Sequence, residues 1–172
     1  MAILSGYKRV CRRNVGGVSR IGFVPIQNIE VTVNESVVTD ITFTEGATKF
    51  KEYESSLDAA ELKVSSQEQS ILLRFNALEA KSSIAYNELL EAAACGLGGL
   101  VQMNNGAVAL VGWSEEFDGR RPLMSIEADG TSGKAITDEN YLDVTLKTTQ
   151  VTAPLYLSDE AVAKLDTYFE TK

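Results

Sequence analysis

The stretch Gly130–Lys134 (GTSGK) carries the glycines and the lysine of a phosphate-cradling loop. Such loops wrap phosphates in backbone N–H groups and follow the lysine with Ser or Thr for a metal. Here the spacing is incomplete. Ala128 stands where the first glycine belongs, Ala135 follows the lysine, and no strong helical pattern comes next. A flexible surface loop is the expectation. Asp138-Glu139-Asn140 with Asp143 offers oxygen ligands, but the Asp-x-Asn-x-Gly order of a calcium loop is missing, so a solvated acidic loop is expected. Glu115 and Asp118 are the residue types of a glycosidase pair, yet both lie in one polar loop, Ser114–Arg121, with nothing to fix their separation. Cys11 and Cys95 lack CxxC spacing; they can pair in principle, but two buried thiols are the simpler reading. The chain has no histidine, which removes Ser-His-Asp, Cys-His and histidine-ligated zinc chemistry together. Trp113 with Tyr141 keeps a sugar-binding platform open. No catalytic residue, metal site or cofactor is expected, and the chain reads as a non-enzyme.

With 172 residues the chain is long enough for one domain with a real hydrophobic core. No apolar run approaches the length of a membrane-spanning helix. The apolar start, Met1 to Gly6, is too short for a signal peptide and its arginines follow rather than precede it, so cytoplasmic synthesis is expected. The net charge of -8 is unevenly placed. Residues 1–20 hold Lys8, Arg9, Arg12, Arg13 and Arg20 and no acid, which leaves -13 on the rest. A basic arm on an acidic body either binds nucleic acid, docks on a neighbouring copy or stays solvated; docking is preferred, because the body repels a phosphate backbone.

The elements that would position these residues are mostly strands. Arg20–Ile26 is a short apolar run, and Glu30–Thr44 alternates around a turn at Asn34-Glu35-Ser36. Lys49–Glu54 alternates around Phe50. The segment Glu45–Ala60 is charged and poor in large apolar residues, and is expected to project as a hairpin. Ala60–Ser66 and Gln69–Leu78 read as strands. Ser82-Ser83 cap a helix with Ile84, Leu89 and Ala92/Ala93 near one face, ended by Gly96. Asn105-Gly106 between two apolar runs predicts a tight hairpin. Pro122–Ala128 and Tyr141–Thr148 read as strands joined by a mobile loop, Asp129–Asn140. Ser158 caps a terminal helix, Asp159–Glu170, with Val162, Leu165 and Phe169 on one stripe. The expectation is a mainly β sandwich or barrel with one packed helix and a short C-terminal helix: a basic arm over 1–20, then one domain over 21–172 with a projecting hairpin at 45–60.

Three stretches carry a family resemblance: Cys11 with Gly16-Gly17-Val18-Ser19-Arg20-Ile21; Asn104-Asn105-Gly106 with Leu110-Val111-Gly112; and Met124–Gly133 (MSIEADGTSG). With the order strands, charged hairpin, strand, helix, Asn-Gly hairpin, strands, the chain resembles the tail tube proteins of long-tailed phages and related injection-system tubes. More narrowly it is similar to tail or virion proteins of phages and prophages of Bacteroidetes-type bacteria. The resemblance implies six copies joining their sheets into a ring, rings stacking into a tube, and DNA passing an acidic lumen without specific binding. It implies a virion location after synthesis in the bacterial host. Inter-subunit contacts would then fall on Arg9, Arg12, Arg13 and Arg20 of the arm and on Lys49, Lys51, Glu52, Tyr53 and Glu54 of the hairpin. Other readings are a head-completion, adaptor or decoration protein, a carbohydrate-binding β-sandwich, and a hydrolase using Glu115 or Asp118.

Overall fold

In the computed structural model, the described residues are 7, 15–56, 58–115, 122–150 and 152–170. Alternation of β-branched and polar residues produces most of the strands, and Gly or Asn turns end them. The order is β1 (Val18–Pro25), a 3₁₀ turn (Ile26–Asn28), β2 (Ile29–Asn34), β3 (Val37–Phe43), β4 (Lys51–Glu52), β5 (Glu61–Val64) and β6 (Glu68–Phe75). Then come α1 (Ala80–Cys95), β7 (Leu97–Met103), β8 (Val108–Val111), β9 (Ser125–Thr131), β10 (Tyr141–Thr149), β11 (Leu155–Leu157), α2 (Asp159–Ala163) and α3 (Leu165–Tyr168). Among the described residues the strands form a seven-stranded sheet, ordered β2-β3-β11-β8-β7-β1-β4, and a four-stranded sheet, ordered β5-β6-β10-β9. Only the β11–β3 pair is parallel within these sheets. The mainly β expectation with packed helices holds.

The large sheet is buried on both faces at its centre. On β1, Ile21 and Phe23 face one core cluster and Val24 the other; on β7, Val101 and Leu100 divide in the same way. This double burial is why β1, β7 and β8 read as apolar runs rather than clean alternations. One cluster joins the large sheet to Ile71, Leu73, Val144 and Leu146 of the small sheet and to Leu89 and Ala93 of α1. The other lies under α2 and α3. At Gly99 a Cβ would sit 2.6 Å from Ile71 Cδ1, so glycine lets the two sheets approach.

The Asn-Gly hairpin forms with Gly106 at φ 91°, while Asn105 is not left-handed. Gly106 N–H donates to Met103 O and Met103 N–H to Ala107 O, so the loop is a type I turn closed by a glycine bulge rather than a two-residue turn. The other predicted turn uses Glu35 and Ser36, both at positive φ.

Several expectations fail. β1 starts at Val18, so the end of the expected arm is already strand. α1 starts two residues before the expected serines; Glu79 is its N-cap, and its N–H donates to Ser82 Oγ at 3.1 Å. Ile84 is 59% exposed, because the face that Leu89 and Ala93 bury does not include it. Cys95 lies exposed in the last turn of α1, not buried, and Cys11 is outside the described residues. The terminal helix is two short helices, with Phe169 already extended beyond them.

Candidate inter-subunit surface

The charged segment expected to project does not. It crosses the molecule as a strap from the edge of the large sheet to the small one. Phe50 is fully buried, its N–H donates to Tyr168 O, and its carbonyl accepts from Glu170 N–H. Its ring meets Phe43 edge-on at 6.0 Å and Phe169 at 6.1 Å. β4 then pairs with Gly22 and Phe23 of β1, and Tyr53 N–H donates to Ile21 O. Ser56 N–H reaches Arg74 O at 2.8 Å, on the small sheet. The period of two explains the arrangement. Phe50 and Glu52 face the α3 side, where Arg20 and Phe169 lie, while Lys51 and Tyr53 face the other core cluster. One buried phenylalanine outweighs the charges around it, so the segment docks.

Arg20 is therefore not an arm residue. Its guanidinium lies 3.2 Å from Glu52 and 2.7 Å from Asp166, and stacks 3.8 Å above the Phe169 ring. Gly22 makes room for that ring, since a Cβ there would collide with it. Lys49 Nζ donates to Thr167 O at 2.9 Å, a contact within the chain. Tyr53 meets Phe23 edge-on at 5.6 Å; burial, then the Glu88 charge, push its hydroxyl pKa up. Glu52 and Glu54 are engaged as well. The structure thus brings Arg20, Lys49, Lys51, Glu52, Tyr53 and Glu54 to one strap, mostly holding it down. Arg9, Arg12 and Arg13 lie outside the described residues.

Among the described residues, concavities border the strap on several sides. A polar cleft of about 450 Å³ opens between it and the start of α1, with Glu54, Arg74 and Lys81 on its walls. A second, of about 420 Å³, lies toward the start of β1 and includes Glu54, Asp58 and Asn104. A third pocket of about 240 Å³ has an apolar floor of Phe23, Pro25, Leu89, Ala92 and Leu97, with Lys49, Lys51 and Glu88 at its rim.

The oxygen ligands at residues 138–143 are engaged by protein groups. Arg74 grips Asp143 with a two-pronged pair at 2.7 and 3.0 Å, reaches Glu139 at 3.1 Å and lies 3.9 Å over the Tyr141 ring. That hydrogen bond to Asp143 is the main reason the Arg74 pKa is raised. Asn140 Oδ1 accepts from Leu78 N–H. Asp138 accepts from the N–H groups of Lys134 and Ala135 at 2.8 and 2.9 Å. Those bonds, Ala135 first, hold its carboxyl below the usual aspartate range. The N–H groups of Lys134 and Ala135 are thus already taken by a carboxylate of the same loop, and that of Gly133 by Thr131 Oγ1. Among the described residues no three His, Cys, Asp or Glu side chains are grouped to hold a metal. Glu115 accepts from Ser36 Oγ, and Asp118 lies outside the described residues. Trp113 packs against the α2–α3 core cluster, and Tyr141 carries Arg74 over its ring, so both rings are used in packing.

Sequence reasoning placed a mobile loop at Asp129–Asn140; it missed that β9 runs on to Thr131 and that the remaining tip is braced. Ile136 there is fully exposed, while hydrogen bonds from Gly133, Lys134 and Ala135 and one back from Asp138 N–H brace the loop. An isoleucine flanked by Lys134 and Asp138 in a polar stretch was the available signal. No family model, curated protein or solved structure matches this chain. No helix among the described residues is long and apolar enough to cross a membrane.

Proposed function

We propose that this chain is a structural, self-assembling subunit, specifically a tail tube subunit of a phage-type virion whose copies join into rings that stack around a DNA-conducting channel. The observation that carries this reading is the four-stranded sheet. Its outer strands, β5 and β9, each have one edge that no described strand covers, and β9 is exposed along nearly its whole length. Open edges invite pairing with another chain, and a ring of copies removes them. Its inner face is buried against the large sheet. Its outward rows carry Glu61, Glu68, Glu127, Asp129 and Asp143 against Lys63, Arg74 and Lys147, with Arg74 and Lys147 paired to Asp143 and Glu127. Such a face offers a phosphate backbone little net positive charge, which suits a channel that DNA passes without sticking. The partners on this reading are further copies and other tail proteins.

Negative-stain microscopy of the purified chain tests it. Rings or tubes are the expected result. A chain that stays monomeric at high concentration sinks the reading, and single closed rings that never stack favour a terminator or adaptor instead.

A further inference from the structure

A single exposed isoleucine is ordinary on a protein surface. Ile136 differs in three respects. It is fully exposed, it stands at the tip of a loop whose backbone is fixed by Asp138, and a pocket of fitting character exists elsewhere on the same chain. The apolar pocket beside the strap, of about 240 Å³, is floored by Phe23, Leu89, Ala92 and Leu97 and can hold the four carbons of an isoleucine side chain. The charges match in sign. The loop with its paired neighbours carries three acids, Asp138, Glu139 and Asp143, and two bases, Lys134 and Arg74; the pocket lining carries two bases, Lys49, which also donates to Thr167 O, and Lys51, and one acid, Glu88. On a chain of net charge -8, a rim with more bases than acids is where an acidic loop of another copy meets least repulsion.

We infer that the β9–β10 hairpin tip of one copy inserts Ile136 into the Phe23–Leu89–Leu97 pocket of a second copy. The occupant of the pocket is thus this chain itself. The inference rests on the self-assembly proposed above and adds a side-chain contact to it. Knob and pocket are different patches, so the contact is heterologous and repeats from copy to copy, closing a ring or extending a stack. A braced loop loses little freedom on docking, which favours the contact at small area.

Two variants separate the halves of the contact. Ile136→Asp removes the knob at a fully exposed position, so the fold is untouched. Ala92→Trp fills the pocket from a partly exposed position. By sedimentation velocity, each alone weakens self-association about tenfold or more relative to the parent chain. Mixed, they form a complex containing both variants that is tighter than the self-association of either alone, because one intact knob meets one intact pocket while the sheet edges are unchanged. If Ile136→Asp assembles as the parent does, or the mixture gives no such complex, the inference is overturned while the tube reading stands. A parent chain that remains monomeric overturns both.

Discussion

The strap and the β9–β10 hairpin are two charged, loop-like segments with opposite fates. The strap, Lys49–Ser56, lies down across both sheets; the hairpin tip, residues 132–140, stands out from them. Charge does not separate them, since both mix bases with acids: Lys49, Lys51, Glu52 and Glu54 in the strap, Lys134, Asp138 and Glu139 in the tip. The difference lies in where the single large apolar residue can go. Phe50 has Phe43, Phe169 and Tyr168 around it and is buried completely. Ile136 has only its own loop, held in shape by hydrogen bonds to Asp138, and stays in solvent. A segment docks when its apolar residue finds a cavity of its own chain; when it does not, that residue is left for something else.

The comparison breaks first at its apolar anchors. Phe50→Ala is expected to cost about 3–5 kcal/mol of stability, the usual loss for a buried phenylalanine. Ile136→Ala is expected to stay within about 0.5 kcal/mol, as for a surface change. Chemical denaturation of both variants measures the contrast, and similar losses would remove the distinction.

A smaller effect is expected at Tyr168, whose backbone carbonyl holds Phe50. Its hydroxyl donates to Asp40 Oδ1 at 2.9 Å, and burial, with that hydrogen bond, pushes its pKa up to about 12. Because the folded value lies above the ordinary 10.0, the stability it contributes is complete below pH 10 and declines as pH rises toward 12. Tyr168→Phe should cost about 1 kcal/mol at neutral pH and flatten that alkaline decline. Melting curves from neutral to alkaline pH test it; an unchanged slope in the variant assigns the decline elsewhere.

The smallest effect is confined to the hairpin tip. The Asp138 carboxyl is depressed below its ordinary 3.8, so its bracing is present above that value and lost as pH falls below it. The amide resonances of Lys134 and Ala135 should titrate with a midpoint under 3.8, and Asp138→Ala should remove the titration without changing the melting temperature. A midpoint above 3.8 would mean that the loop is not held this way.

Most of the strands were legible because alternation is a local property. Glu30–Thr44 became β2 and β3 with its turn where expected, and Tyr141–Thr148 became β10. The strap was not legible, because Phe50 is buried by Phe169, more than a hundred residues away, and local composition cannot show that. The place of Arg20 is illegible for the same reason: Glu52 and Asp166 neutralise it from distant segments. Ile84 was placed on the buried face of α1 because its spacing from Leu89 fits loosely, whereas the helix rests on the sheets through a narrow stripe at Leu89 and Ala93. The individual partners of the acids at residues 138–143 are not legible in the sequence, because they depend on the β6–β10 register.

The bridge between Phe50 and Phe169, with β11 lying parallel to β3, also orders events in time. As the chain leaves the ribosome, β1 to β8 emerge before the segment that fills the gap between β3 and β8. Neither the large sheet nor the strap can close until residues near 169 are made. Folding therefore waits on contacts of long sequence separation, which form slowly. During that wait Phe50 and the unfilled edges of β3 and β8 are open to solvent, the interval in which such a chain is most exposed to mispairing.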